Sequence, residues 1–519
     1  MARLKHYTRA LVSGYALLAA NVAYTLGSVP LALRYLSNEE FALWAITSQL
    51  AGYIALLDLG MGSASMRVLI DFKDRRDETA YGSTILTGVL VNAVQSLLIV
   101  LCGIGLAFLL GPLLQIPEAL SQRFLWLMIG QAVLTGGSLA LRMASMILAA
   151  HQRSDLVNWS QAALFSLGFA VLWWGFASGA GVFSMLWAAV VGQVLGPVVA
   201  IIACVRLGLL PQGKSWGRPS WDRFRDLFAF GRDMLLYSLG NQLVNASQTI
   251  LITRMVDLPT AAAWSVCTRV FTLITQAVFK IFDSACGALA EMIVREERER
   301  LLLRFSSMTV LSGSLSVVGG VGLAVCNQPF VEWWTGGRIG WPAWNDWLLA
   351  LWLPILVLVR SHTGLVGLTK EFRFLRYLYF LEGFFFVGAA VMVLRHGGMT
   401  AMLGVSILGS LLFSFYYSIR RTSQYFAVSW RVVVWDWLQP TVRLALMLVP
   451  VAGAAAWSTQ SLKPLTRLLV CGTIVCGLGG TLLLRFGLDE QMRQEISDRI
   501  PKRLTWLRGL GGSRQKNAE

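Results

Sequence analysis

The sequence predicts an all-α polytopic membrane protein of about fourteen transmembrane helices, built as two six-helix bundles (a 6+6 repeat) plus two C-terminal helices, with cytoplasmic N- and C-termini. Three observations predict it. Fourteen apolar runs are each close to the roughly 20 residues that cross a hydrocarbon core. Lysine and arginine collect in alternate loops. The second half of the chain also matches the first, weakly, at an offset of 220 residues. Composition agrees: 14% of residues are charged, against about 25% in a soluble domain.

The apolar runs lie near 10–33, 41–66, 82–110, 124–148, 157–177, 183–205, 233–253, 261–293, 305–327, 347–368, 377–394, 400–419, 438–457 and 468–484. With a cytoplasmic N-terminus, the inner segments hold 32 of the 44 basic residues and the outer segments 7. The other five, Arg142, Arg269, Lys280, Arg360 and Arg443, fall inside spans. This asymmetry sets the expected topology. It also accounts for the net charge of +16, which marks faces that meet anionic membrane lipids and not a nucleic-acid surface. Met1 to Arg9 is basic, and the apolar run after it is long enough to span, so a cleavable signal peptide is not expected. The seven cysteines lie in apolar stretches without zinc-like spacing, and the four histidines are scattered. No metal site and no cofactor are expected.

The longest inner loop sets the domain boundaries. Residues 1–206 form the first six-helix bundle, 207–232 a cytoplasmic linker, 233–420 the second bundle, 421–485 two additional helices and 486–519 a basic tail. In the linker Trp221, Phe224 and Phe228 recur at helical spacing among charges, which predicts a short amphipathic helix on the membrane surface. The tail is expected to lie similarly until Gly511. At the 220-residue offset Asn21 meets Asn241, Arg34 meets Arg254 and Trp44 meets Trp264.

The residues that bear chemistry are polar groups inside these runs. Lys280 lies mid-helix, where a charge costs about 2.5–3.5 kcal/mol on insertion scales and persists only against protein or water. Arg269, Gln276, Lys280, Asp283, Gly287 and Glu291 follow steps of 7, 4, 3, 4 and 4, which is one helix face. A polar, cationic chamber for an anionic cargo is the expectation. Arg360 and Arg142 are further candidates, although Arg142 could also snorkel to an interface. Lys280 and Asp283 could neutralise one another. Asn21 in the first run, with Asn241 and Asn245 in the seventh, are candidates for a polar cavity wall or for interhelical hydrogen bonds. Asp58 and Asp283 are candidates for proton or sodium coupling, and Asp58 equally for an ion pair. The Gly319-Gly320-Val321-Gly322 cluster reads as close helix packing. Trp333, Trp334, Trp341, Trp344 and Trp347 read as an interfacial belt, with sugar stacking as the alternative.

The stretch Tyr35-Leu36-Ser37-Asn38-Glu39-Glu40-Phe41-Ala42-Leu43-Trp44, followed by Ala55-Leu56-Leu57-Asp58-Leu59-Gly60-Met61-Gly62, resembles the first hairpin of bacterial polysaccharide (O-antigen-type) flippases. Tyr237-Ser238-Leu239-Gly240-Asn241-Gln242, leading to Ala262-Ala263-Trp264-Ser265-Val266, resembles the matching hairpin of their second half. Their superfamily also holds the multidrug and toxin extrusion pumps and the lipid II flippase. The resemblance implies two bundles in a V around a cationic cavity, alternating access, and no enzymatic activity. It implies an undecaprenyl-diphosphate-linked oligosaccharide as cargo, the bacterial cytoplasmic membrane as location, and other polysaccharide-assembly proteins as candidate partners. It carries over no single binding residue.

The physical case for that cargo is separate. A diphosphate needs counter-charge, which Arg269, Lys280, Arg360 and Arg142 would supply. With the cytoplasm negative, each negative charge moved outward gains about 2.3 kcal/mol per 100 mV. Two rivals remain. A cation-coupled exporter of small amphipathic cations should favour intramembrane carboxylates, whereas basic residues prevail here. A membrane polymerase or ligase acting on the same lipid-linked sugars should carry a long outer loop, and Gln328 to Asp346 is under 20 residues.

Overall fold

The computed structural model describes residues 2–54, 58, 65, 68, 69, 72, 77–151, 153–369, 374–488, 492 and 493. Every regular element among these residues is helical. The first half holds α1 (Ala2–Tyr35), α2 (Asn38–Ile54), α3 (Glu78–Leu113), α4 (Glu118–Ala140), α5 (Met143–Ala150), α6 (Ser154–Ala177), α7 (Phe183–Val190) and α8 (Gly196–Arg206). The second holds α9 (Trp221–Asn245), α10 (Ser247–Met255), α11 (Leu258–Cys267), α12 (Arg269–Val294), α13 (Arg298–Thr335), α14 (Trp344–Leu368), α15 (Leu375–Ser410) and α16 (Tyr416–Phe426). Two more follow, α17 (Trp437–Ser458) and α18 (Pro464–Phe486).

The offset of 220 residues recurs in the element boundaries. Helix α1 ends at Tyr35 and α10 at Met255; α2 begins at Asn38 and α11 at Leu258. Helices α3 and α13 begin at Glu78 and Arg298, and α8 and α16 end at Arg206 and Phe426. Even a one-turn π-helical segment repeats, at Val191–Leu195 and Leu411–Phe415. Local chemistry explains the first hairpin. Ser37 and Glu40 form a reciprocal capping box, each backbone N–H meeting the other's side chain at 3.1 Å. At the equivalent place Asp257 accepts from the Thr260 N–H at 2.7 Å.

The chain falls into two compact units, Met1–Ser265 with Tyr379–Val391, and Val266–Leu378 with Met392–Glu519. In the first, α1 runs along α6, with Tyr35 stacked on Phe176 at 5.3 Å and 2°. Helix α3 runs along α4, where a Cβ on Gly103 would stand 2.3 Å from that of Ala132. Helix α9 meets the Tyr379–Val391 segment at glycine: a Cβ on Gly240 would lie 2.2 Å from the Tyr379 carbonyl. In the second unit α13 is the hub, packed on α12, α14, α17 and α18. The Gly319–Gly322 cluster works as expected, since a Cβ on Gly320 would lie 2.8 Å from the Ala350 carbonyl oxygen. The buried hydroxyls Thr309 and Ser312 of α13 donate to carbonyls one turn back, at 2.8 and 2.9 Å, so a polar helix can be buried. Large apolar side chains cover the outside, including Leu97, Phe108, Leu446 and Met392. In a bilayer this surface meets lipid.

By length and apolarity, ten helices among the described residues can each cross a membrane, or eleven if bent α4–α5 is one span, beside the fourteen apolar runs of the sequence. Three features account for the difference. The described part of α2 has 17 residues, and α9 is polar. Leu375–Phe426 counts once although Gly398 (φ +56°, ψ −153°) divides it. The linker also differs. Trp221, Phe224 and Phe228 open α9 itself and form no separate surface helix. The linker before them is pinned along α3. Ser83 Oγ donates to the Arg218 carbonyl at 2.6 Å, and the Ser220 N–H donates to Thr87 Oγ1 at 3.1 Å. The expected tail helix lies outside the described residues, as does the Ala55–Gly62 motif apart from Asp58.

Candidate functional site

Helix α12 has two unlike faces. Phe271, Thr275, Val278, Phe282 and Leu289 are buried, spaced as the face that packs on α13 and α14. On the other side Thr272, Gln276, Lys280 and Asp283 are exposed, in steps of 4, 4 and 3. Arg269 stands half-buried at the head of the helix. The stripe contains Gln276, Lys280 and Asp283, which spacing selected, and adds Thr272, which lies one turn before Gln276 and was legible in the same periodicity. The side chains of Gly287 and Glu291 lie outside the described residues.

The charges pair differently from the simplest expectation. Lys280 and Asp283 do not neutralise one another. Asp283 accepts from Arg360 Nη2, on α14, at 2.7 Å. Both side chains are more than a third exposed, so this contact is a weak, solvated pair. Arg360 also stands 5.9 Å from the ring centres of Phe279 and Phe282, near the outer limit of cation–π attraction. Lys280 has no hydrogen-bond or ion-pair partner among the described residues. Among the described side chains on this side, the cations Arg269, Lys280 and Arg360 outnumber the carboxylate Asp283 by two. A bare ammonium on an exposed stripe requires water or an anion, since hydrocarbon would leave it unsolvated.

Arg142 and Asp58 belong to the first unit and serve one another. Arg142 stands at the break between α4 and α5, which bend by 42°. Its guanidinium grips Asp58 with two hydrogen bonds, Nη1 to Oδ2 at 3.0 Å and Nη2 to Oδ1 at 2.5 Å. Gln95 Nε2 donates to the Asp58 carbonyl at 2.8 Å, tying the pair to α3. The fork geometry is the strong form of carboxylate recognition. Arg142 therefore neither snorkels nor stands as a free cation.

The amides are placed separately. Asn241 and Asn245 are exposed neighbours on α9, with Asn245 Nδ2 donating to Asn241 Oδ1 at 3.0 Å and to its carbonyl at 2.9 Å. Asn21 is half-buried in α1. His362, next but one to Arg360, is enclosed: it shares a hydrogen bond of 2.9 Å with Thr422 and stacks on Trp437. The tryptophan cluster divides. Trp333 and Trp344 are exposed as belt residues would be, whereas Trp341 is buried. Trp341 Nε1 donates to Asp346 Oδ1 at 3.1 Å, beside Asn327 Nδ2 at 2.6 Å. Asp346, fully buried, was not singled out by sequence, and no spacing points to it.

The chain matches the family described as "Polysaccharide biosynthesis protein" over residues 12–286, which is more than half its length. A search of curated proteins gave no significant match. Among solved structures, the fold is similar to the lipid II flippase MurJ in an inward closed conformation (TM-score 0.64, 10% identity, covering 91% of this chain and 98% of that one). It is also similar to an inward-facing multidrug resistance MATE transporter of the MOP superfamily (0.61, 12%, 77% and 94%). A third is a MOP superfamily transporter from Pyrococcus furiosus, described as having a binding pocket of reverse polarity (0.60, 12%, 82% and 97%). With an all-helical fold similar to these transporters and a family match across its first half and into α12, the chain belongs to the polysaccharide biosynthesis protein family, as a multi-span membrane protein.

Proposed function

We propose that the protein is a flippase that carries undecaprenyl-diphosphate-linked oligosaccharide from the inner to the outer leaflet of a bacterial cytoplasmic membrane, by alternating access. The product would feed synthesis of a surface polysaccharide: O-antigen, capsule or exopolysaccharide. One observation carries the reading: the unpaired ammonium of Lys280 on the exposed polar stripe of α12. Arg269 lies on the same helix and Arg360 on the neighbouring α14. The diphosphate would be held by Lys280 and Arg269, with Arg360 exchanging Asp283 for phosphate oxygens. Arg142 would act indirectly, by holding Asp58. Asn21, Asn241 and Asn245 are proposed to offer amides to the sugars. The halves 1–206 and 233–420 are proposed to be the moving repeats, with 421–485 and the basic tail 486–519 as additions.

Family and fold support transport over enzymatic chemistry. The exporter of small cations fits less well, because the carboxylates Asp58 and Asp283 are each engaged by an arginine. The test is flipping of a fluorescent undecaprenyl-diphosphate oligosaccharide in proteoliposomes, parent against Lys280→Ala. Parent activity lost in the variant, at equal folded protein, supports the reading. Flipping by both variants discards the site, and a folded parent that flips nothing discards the cargo.

A further inference from the structure

A groove with a volume of about 400 Å³ runs between α3 and the start of α9. Its lining is almost wholly apolar. Leu90, Val94 and Leu98 come from α3, and Trp221, Phe224 and Phe228 from α9. These side chains are not a protein core. Leu90 is 55% exposed, Val94 53% and Trp221 75%. Helix α3 is long and apolar enough to cross a membrane, and a groove with this lining suits a hydrocarbon chain.

Its length and charge indicate which chain. From Thr87 to Leu98 the α3 wall rises about 16 Å, close to the roughly 15 Å of one leaflet's hydrocarbon. The groove begins at the linker between the two halves, the longest of the loops where basic residues gather. Beside that mouth Arg218 and Arg225 are exposed, as is the carboxylate of Asp222. Arg223 turns elsewhere, its guanidinium 4.3 Å from the Phe72 ring centre. Helix α9 also starts there, and its N-cap Ser220 supplies no side-chain cap to the first N–H groups. Such a helix end attracts phosphate.

We infer that this groove is a binding site for an anionic phospholipid of the leaflet on the basic-loop side, with one acyl chain between α3 and α9 and the phosphate at Arg218, Arg225 and the α9 N-terminus. The site would tie the linker to the composition of the membrane. It lies within the first unit and does not depend on the nature of the cargo.

Native mass spectrometry of the purified full chain tests it, with added phosphatidylglycerol, phosphatidylcholine or undecaprenyl phosphate. The parent is expected to retain one phosphatidylglycerol in preference to phosphatidylcholine. Arg218→Ala and Arg225→Ala should each weaken retention about fivefold. Val94→Trp, which fills the groove, should abolish it. Leu97→Trp, equally exposed on α3 but outside the groove, should not. Equal retention of the two phospholipids by the parent overturns the inference, as does retention unchanged in Val94→Trp or lost equally in Leu97→Trp. Displacement of phosphatidylglycerol by equimolar undecaprenyl phosphate would also overturn it, by giving the groove to an isoprenoid tail.

Discussion

Lys280 and Arg142 are both cations in apolar helices, yet they have opposite surroundings. Arg142 is held by Asp58 in a two-point grip at a helix break, with the side chains 24% and 18% exposed. Removing one member strands the other. Arg142→Ala should therefore lower stability by about 2–4 kcal/mol, read as a fall in the thermal unfolding midpoint in detergent. The double variant Arg142→Leu with Asp58→Leu should recover most of that loss; a double variant no better than Arg142→Ala would show that the pair does something other than neutralise itself. Lys280→Ala should be the converse, with stability nearly unchanged and flipping lost. Asp346 provides a third case. It is fully buried and accepts from Asn327 and Trp341, so Asp346→Ala removes an acceptor that two buried donors share and should cost about 2–3 kcal/mol.

At the scale of elements, glycine decides where helices touch and bend. The backbone of Gly398 occupies a region that other residues scarcely enter, and it divides the long Leu375–Phe426 stretch. Gly398→Ala should cost about 1–3 kcal/mol and lower the thermal midpoint. Gly240→Val should do at least as much harm by parting α9 from the Tyr379–Val391 segment, because the obstructing atoms are backbone. The element scale also shows why the repeat was faint in the letters and plain in the boundaries. Packing partners drift freely among apolar residues, whereas caps such as Ser37 and Asp257 and turns of fixed length hold their places. The same freedom let the linker's aromatic residues continue into α9. Periodicity marks a helical face without marking where that helix joins the next.

For the whole molecule, the asymmetry of basic loops predicts sidedness that labelling can check. A membrane-impermeant maleimide applied to intact cells should modify Arg338→Cys, in the turn after α13, and spare Gln212→Cys in the linker. The reverse pattern would invert the topology. Outward flipping of a diphosphate-linked cargo should accelerate when an inside-negative potential is imposed on proteoliposomes, since each charge gains about 2.3 kcal/mol per 100 mV. A rate independent of potential would mean that cargo charge is compensated as it moves.

The sequence by itself determined the class, the apolar runs, the repeat offset and most of the polar face of α12. All of these are periodic or additive properties: hydropathy sums along a run, loop charge sums along a segment, and a helix repeats every 3.6 residues. Lys280 was legible for the same reason, because its cost in hydrocarbon does not depend on its neighbours. Which charges meet was decided only in three dimensions. Asp283 stands three residues from Lys280 yet binds Arg360, 77 positions away, and Asp58 reaches Arg142 across 84. Trp341 lies in a run of tryptophans but turns inward to Asp346. Partner choice depends on the register of one helix against another, which is set by the packing of the opposite faces and leaves no period in the chain.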